Sequence, residues 1–397
     1  MRWLNRERLT IYPRLIVGIY LVALAGFLVV SAGGVDPKGR PIGNDFMAFW
    51  SAATLADRGE AAAAYQPARL FDVQKSALPA AISRYAWLYP PTFLLVVQPL
   101  AKLPYFLALV GWTLITLLPL VLLVRRLVPE SLGLWLFAAF PGCFQNLMQG
   151  QNGFMTAALF GGGLHFIDRR PWLSGILFGL LSYKPQFGLL IPLVLIATKR
   201  WLVLAAASLT VAGFALATIP VFGIEIWRVF IDSIGLSFDL LADGGVPWRK
   251  MASLYASLRL LGVPLWLAVA IHGLGAIVVA AATVQVWRGP ADPALKAAIL
   301  VLGALFLSPY SFDYDLVLLA LPICWLGWFG HSEGLLPWEK AALLLNWMMP
   351  VLATVISVAT DMEIAWIAPA WLFWLLWQRH RRAGASSARD LLAAEMR

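Results

Sequence analysis

"PYFLALVGWTLITLLPLVLLVRR", residues 104–126, runs for twenty-one residues without a charge and then ends in Arg125 and Arg126. An α-helix rises about 1.5 Å per residue, so roughly twenty apolar residues cross the hydrocarbon core of a bilayer. Lysine and arginine collect in cytoplasmic loops, and the two arginines therefore place this end of the segment inside the cell. The stretch predicts a transmembrane helix.

The composition extends this prediction to the whole chain. Of its 397 residues, 61% are hydrophobic and only 13% are charged. A soluble domain cannot bury that much apolar surface, so the composition is typical of a membrane protein with many spans. The net charge of +9 is explained by basic cytoplasmic loops, and nineteen tryptophans suit the aromatic belts at the two interfaces. We therefore expect no nucleic-acid partner.

Apolar runs and basic loops alternate along the chain. They predict an all-α polytopic membrane protein with about twelve transmembrane helices and both termini in the cytoplasm, although several runs must borrow flanking residues to cross. The N-terminus is assigned to the cytoplasm by Arg2, Arg6, Arg8 and Arg14. We expect a single domain over 1–397, with a first span at 16–31, an outer loop with amphipathic and re-entrant helices at 32–103, core spans at 104–330, C-terminal spans at 331–378 and a cytoplasmic tail at 379–397.

An acid, Asp45, begins a predicted helix in "NDFMAFWSAATLADRG", residues 44–59. Phe46, Phe49 and Trp50 recur at spacings of three and four, which indicates an amphipathic helix that lies in the outer interface. Two roles are compatible with Asp45. It could be an N-cap that satisfies free backbone N–H groups, or a general base that accepts a proton from a sugar hydroxyl.

A cation interrupts an apolar run at Lys184, where Pro185 also breaks the helix. An ionisable group inside a membrane segment is costly and indicates a function by default. Lys184 could snorkel to the outer interface, or it could bind a phosphate together with Gln186. Arg249 and Lys250 could bind the same phosphate or anchor the chain at the interface.

The segment "QGQNG", residues 149–153, joins two predicted spans on the outer side. Its amides, Gln149, Gln151 and Asn152, could bind sugar hydroxyls. Its two glycines are equally typical of a tight turn with no further role.

Two acids, Asp313 and Asp315, begin a predicted span in "SPYSFDYD", residues 308–315. They could bind a metal ion or sugar hydroxyls, or they could cap the helix and stabilise its dipole. The sequence contains no metal-ligand spacing, so we predict no metal site.

The ordered set "NDFMAFWSAATLADRG", "YPPTFLLVVQPLAKLP", "QGQNG", "SYKPQFGLLIPLVLIATKRW" and "LSPYSFDYDLVLLALP" resembles glycosyltransferase family 87. These are membrane enzymes of the GT-C class, and the resemblance runs from about residue 40 to 325. It implies a GT-C fold and inverting transfer of a hexose, mannose in the best-known members, from a polyprenyl-phosphate donor on the outer membrane face. It also implies that Asp45 is the base and that Lys184 and Gln186 lie near the donor phosphate.

The resemblance further implies the partners and the location. The lipid-linked sugar is a substrate, so no cofactor is expected, and the partners are membrane lipids, this donor and a lipid or glycan acceptor. The location is the bacterial inner membrane, with the site facing the periplasm. We assign Asn44, Tyr89 and Tyr314 to sugar or acceptor binding, with the amides and acids of their clusters.

One departure separates this chain from the mycobacterial mannosyltransferases of that family. They carry histidines after "SP.S", where this chain has Phe312, Asp313, Tyr314 and Asp315. A role for that histidine does not carry over, and the choice of mannose is weakened with it. The alternatives are a secondary transporter and an assembly partner for a lipid-linked glycan. A transporter is expected to show paired repeats, and the sequence has no fixed-period repeat.

Overall fold

The computed structural model describes residues 6–242 and 244–395, and Arg2 lies outside them. The described residues form no β-strand, and extended pairing among them is limited to two isolated antiparallel bridges. The prediction of an all-α protein is confirmed.

Nineteen α-helices lie within the described residues. In chain order they are α1 (Arg6–Val30), α2 (Phe46–Asp57), α3 (Pro67–Ala77), α4 (Pro91–Val97), α5 (Tyr105–Leu127), α6 (Ser131–Ala138), α7 (Pro141–Gln149), α8 (Gly153–Phe166), α9 (Pro171–Leu180), α10 (Pro185–Gly188), α11 (Leu190–Ala197), α12 (Trp201–Phe222), α13 (Glu225–Ala242), α14 (Leu254–Leu260), α15 (Leu265–Arg288), α16 (Pro293–Leu307), α17 (Ala320–Ser332), α18 (Glu339–Thr360) and α19 (Ile367–Glu395). Short 3-10 helices lie between them at Ala32–Gly34, Ala61–Tyr65, Gln98–Lys102, Leu181–Tyr183, Trp248–Lys250 and Asp313–Leu319.

Six helical segments of the described chain are long and apolar enough to cross a membrane. They are Glu7–Val30, Tyr105–Leu127, Trp201–Phe222, Leu265–Arg288, Asp313–Ser332 and Glu339–Thr360. Three shorter apolar helices, Pro171–Tyr183, Pro185–Ala197 and Pro293–Leu307, accompany them. The chain is therefore a membrane protein, whereas twelve crossings and the GT-C arrangement stay predictions.

The helix predicted after the first span is α2, but its expected amphipathic, interfacial character is wrong. Ten of its twelve residues are buried. The physical reason is its small residues, such as Ala48 and Ser51, which let neighbouring segments approach on the face opposite the aromatic side chains. Phe49 is enclosed edge-to-face by Trp87, Phe93 and other rings. This packing makes the start of α2 a rigid support.

The rest of the segment at 32–103 contains one amphipathic helix, as predicted, and two short helices. Helix α3 is amphipathic and buries Leu70, Val73 and Gln74, which lie on one face at a spacing of three and four. Helix α4 and the 3-10 helix after it have seven and five residues, too short to cross a bilayer. Whether they re-enter the membrane stays a prediction.

Two large apolar clusters fill the described part of the molecule, beside a smaller one that includes Met251 and Tyr255. One joins α2, α3 and α4 to the beginning of α5, and the other lies among the long helices, including α8, α16 and α17. The indole N–H of Trp50 in α2 donates to the carbonyl of Leu103, just before α5. The first of these clusters is thus fixed at the start of α5. Arg125 and Arg126 lie at the other end of α5, about 30 Å away at about 1.5 Å per residue.

Candidate functional site

Asp45 lies half-buried immediately before α2 and makes no side-chain capping bond to that helix. Its Oδ2 instead accepts a hydrogen bond of 2.9 Å from Nε2 of Gln151. Gln151 is oriented in turn, because its Oε1 accepts from the backbone N–H of Asn152 at 3.0 Å. The simple N-cap role is therefore wrong for this side chain, which points to the turn between α7 and α8.

The turn between α7 and α8 can lie against the start of α2 because of Gly150. This residue has a left-handed φ of 61°, and a Cβ on it would come within 2.7 Å of Cβ of Phe46. The turn is closed by Asn146, whose Oδ1 accepts from the N–H of Gly153 at 2.9 Å and whose Nδ2 donates to the carbonyl of Gln151. Sequence reasoning missed Asn146, because an amide inside a helix carries no visible signal of a tertiary role.

Lys184 and Asp315 form a buried ion pair, with Nζ and Oδ1 separated by 2.6 Å and side-chain exposures of 3% and 1%. The other oxygen of Asp315 accepts from the N–H of Phe312 at 3.1 Å. The ammonium group also lies 4.8 Å from the ring centre of Tyr314. A snorkelling Lys184 is therefore excluded, because its charge points into the protein and is balanced there.

Asp313 faces the turn between α7 and α8 from the opposite side. Nε2 of Gln149 lies 3.3 Å from each of its carboxylate oxygens. An antiparallel bridge between Met251 and Phe312 aligns the two loops, so that Lys250 is close enough to Asp313 to interact electrostatically. Unlike Lys184, Lys250 makes no ion pair within the salt-bridge distance among the described residues.

Tyr89 lies under the same cluster. Its hydroxyl lies beside the Asn152 amide and near the Asp315 carboxylate, and its ring packs on Phe93 with a centroid separation of 4.7 Å. Burial raises the pKa of the Tyr89 phenol, and the negative charge of Asp315 adds to the rise. Tyr89 is thus a neutral hydroxyl group on the inner side of the site.

Besides Lys250, three predicted site residues are not joined to this cluster by hydrogen bonds within the described chain. Gln186 lies partly exposed in α10. Arg249 forms an exposed ion pair of 2.9 Å with Asp361. Asn44 is half-buried next to Asp45 and has a positive φ of 22°. Their assigned roles stay predictions.

A further acid near the cluster, Glu363, was not predicted. It is 5% exposed, and burial raises its pKa to about 8, with the charge of Asp313 adding to the rise. Its Oε1 accepts from the N–H of Ala365 at 2.6 Å, and the Ser257 hydroxyl donates to its carbonyl. In the sequence it stands in a short loop before the last helix, where nothing distinguishes it from a surface acid.

The cluster combines three carboxylates, Asp45, Asp313 and Asp315, with two ammonium groups, Lys184 and Lys250, at the end of the bundle where α5 begins. Among the described residues, no group of three or more His, Cys, Asp or Glu side chains is arranged to hold a metal ion. The half-buried carboxylate of Asp45 can accept a proton, and a nearby cation can stabilise a departing anion. These are the two demands of displacement at an activated carbon.

The sequence model of glycosyltransferase family 87 matches residues 87–309, which is more than half of the chain. The matched segment contains both lysines and all three amides of the cluster, while Asp45, Asp313 and Asp315 lie outside it. No curated protein and no solved structure matches the chain.

Proposed function

Because the chain belongs to glycosyltransferase family 87, we propose that it transfers a hexose, mannose foremost, from a polyprenyl-phosphate donor to a lipid or glycan acceptor. That it is a membrane glycosyltransferase follows from the family and from its apolar helices. The observation that carries the finer proposal is the Asp45 carboxylate, which Gln151 holds opposite Asp313.

Asp45 acts as the general base in this proposal. An acceptor hydroxyl that approaches its second oxygen loses a proton to the carboxylate while the hydroxyl oxygen bonds to the anomeric carbon. The bond from that carbon to the donor phosphate breaks, its electron pair stays on the phosphate oxygen, and the anomeric configuration inverts. A positioned base of this kind contributes about 10²- to 10⁴-fold to the rate.

The leaving phosphate gains negative charge, so it requires a cation. Lys184 is neutralised by Asp315, and its ammonium group is already fully buried. Lys250 stands beside Asp313, whose charge attracts it toward the cluster. We therefore assign the first contact with the phosphate to Lys250, and Lys184 holds the 3-10 helix that carries Asp313.

The setting in the membrane suits a lipid-linked donor. A polyprenyl tail stays in the hydrocarbon while its phosphate and sugar reach the interface, where the end of the bundle carries the acids and amides. Arg125 and Arg126 at the far end of α5 favour a cytoplasmic position for that end, and this supports our proposal that the cluster faces the periplasm from a bacterial inner membrane. The reaction as proposed requires no cofactor.

The test is transfer from defined donors by the purified enzyme in lipid nanodiscs. Radiolabelled mannose and glucose are supplied on polyprenyl phosphate or as nucleotide sugars, and the label that enters extracted lipids and glycans is counted. We expect label only from the polyprenyl-phosphate donors. Transfer from nucleotide sugars alone would contradict the donor class, and a preference for glucose would contradict mannose.

A further inference from the structure

A cavity of about 630 Å³ lies between α1, α6, α17 and α18, at the opposite end of the bundle from the acid cluster. Its position follows from α5, because Val128 and Glu130, just beyond the end of that helix, line it. The volume falls within the range of about 300–1,000 Å³ that is usual for ligand sites. None of the residues assigned to sugar transfer lines it.

The walls of this cavity have one charged end and one apolar end. Arg8 and Lys340 lie in the first turns of α1 and α18, and His331 lies in the last turn of α17, so all three are at the end away from the acid cluster. Farther along the same helices the lining is apolar, with Ile16 and Ala320 as examples. Glu130 is the one acid among the residues that line the cavity. Arg8 and Lys340 give two positive charges against the one negative charge of Glu130.

The length of the cavity matches the hydrocarbon thickness of one membrane leaflet. From His331 to Ala320 is eleven residues of helix, or about 16 Å at about 1.5 Å per residue. Half of a hydrocarbon core of roughly 30 Å is about 15 Å. Trp328 and Trp347 line the walls as well, and tryptophan is enriched where hydrocarbon meets the polar head groups.

We propose that this cavity binds one anionic phospholipid, with its phosphate head group at Lys340 and an acyl chain along α17. The apolar end of the cavity does not favour water, and the bilayer beside it supplies acyl chains. The basic end selects a negatively charged head group by charge complementarity. The site would fasten α1, of whose span only 6% is buried within the protein, to the rest of the bundle through the lipid.

The glycine at position 327 allows the cavity to be filled without a clash. A Cβ on Gly327 would meet no atom within 4 Å, and the residue lines the cavity from α17. Gly213 of α12 is a matched control, since it is also exposed with open space around it and does not line this cavity. The probe is phosphatidylglycerol with a photoreactive group in its acyl chain, in phosphatidylcholine nanodiscs.

We expect cross-links on peptides from α1, α17 and α18 in the unaltered protein. Gly327→Phe should lower their yield at least about tenfold, which corresponds to about 1.4 kcal/mol of binding, and Gly213→Phe should not change it. An unchanged yield in Gly327→Phe, or cross-links spread evenly over the lipid-facing helices, would overturn the site.

A second measurement tests the head group. Lys340→Ala should weaken phosphatidylglycerol binding about fivefold, because a lysine near the membrane surface contributes about 1 kcal/mol to attraction of anionic lipid. Lys75→Ala on exposed α3 is the control. Unlabelled phosphatidylglycerol should compete and phosphatidylcholine should not. Equal competition by phosphatidylcholine, or stronger competition by polyprenyl phosphate, would overturn the assignment to an anionic phospholipid. Both measurements read binding, so they do not depend on sugar transfer.

Discussion

Gln151 donates a hydrogen bond from Nε2 to Oδ2 of Asp45 at 2.9 Å, although 106 residues of chain separate them. Among the described residues it is the only hydrogen bond that the Asp45 side chain makes. Gln151 cannot rotate freely, because its other amide atom is engaged with the N–H of Asn152. One oxygen of Asp45 is therefore held, and the other is available to an acceptor hydroxyl.

Asp45→Asn should lower sugar transfer by at least about 10²-fold, because the amide cannot take the acceptor proton. The amide oxygen can still accept from Gln151, so folding should be retained. The measurement is the initial rate of label transfer from the polyprenyl-phosphate donor, with size-exclusion chromatography to check the fold. The exposed acid of α3, Asp72→Asn, is the control and should transfer normally. Near-normal transfer by Asp45→Asn would mean that another acid, Asp313 first, is the base.

Gln151→Leu should lower kcat about 10- to 100-fold and leave the donor KM nearly unchanged. A hydrogen bond to a charged group contributes about 1.5–3 kcal/mol, and its loss lets the Asp45 carboxylate leave its reactive position. The matched control is Gln145→Leu in the neighbouring α7, where the lost bonds go to Pro350 and Thr354 of α18. Steady-state kinetics separate the two variants. If both lowered kcat equally, the effect would be one of packing and not of orientation.

Lys184→Met should reduce the free energy of unfolding by about 3–5 kcal/mol, because it leaves the Asp315 charge buried without a partner. The double variant Lys184→Met, Asp315→Asn should recover most of that loss, since the amide oxygen can still accept from the N–H of Phe312. Thermal unfolding in detergent measures both. If the double variant were as unstable as the single one, the loss of stability would not come from the unpaired charge of Asp315.

Lys250→Ala should lower kcat/KM for the donor about 10- to 100-fold, because a charge-assisted contact with phosphate contributes roughly 1.5–3 kcal/mol. Its neighbour offers the control. Arg249→Ala removes only an exposed ion pair with Asp361, which is worth about 1 kcal/mol at most, so its effect should stay below about fivefold. The reverse order of the two effects would move the phosphate contact to Arg249.

The free energy of unfolding should fall as the pH rises from about 4.5 to about 8, because of the ionisation of Glu363. Its pKa is 4.5 in the absence of burial and about 8 in the folded protein, so the folded state keeps a proton that the unfolded state has lost. The loss amounts to about 1.4 kcal/mol per pH unit across that window. Glu363→Gln should remove this dependence, as measured by unfolding temperature at pH 5, 6.5 and 8. A parallel slope in the variant would refute the assignment.

Several parts of the fold were predictable from the sequence for local reasons. The span at 104–126 becomes α5, and the break at Pro185 separates α9 from α11, because chain length and proline geometry act within a few residues. The start of α2 at Phe46 follows the predicted helix closely. Its burial was not predictable, because periodicity cannot distinguish a helix face in the interface from one packed under other helices.

Most polar residues of the site were also recognisable, since a charge in an apolar run is conspicuous. The partners of these residues could not be recognised from the sequence. Lys184 was expected to meet a phosphate, whereas its nearest anion is Asp315, 131 residues away. Asn146 and Glu363 were missed because one stands inside a helix and the other in a short loop, and both acquire their surroundings only from other elements.

The sequence by itself determined that the chain is helical and lies in a membrane. Hydrocarbon offers no hydrogen bonds to the backbone, so each long apolar run must satisfy its own N–H and C=O groups as a helix. Only the tertiary structure decided which ends of those helices meet, and with them the contacts of Asp45 with Gln151 and of Lys184 with Asp315. Hydropathy and turn signals act over a few residues, whereas these contacts depend on packing among helices that are distant in the chain.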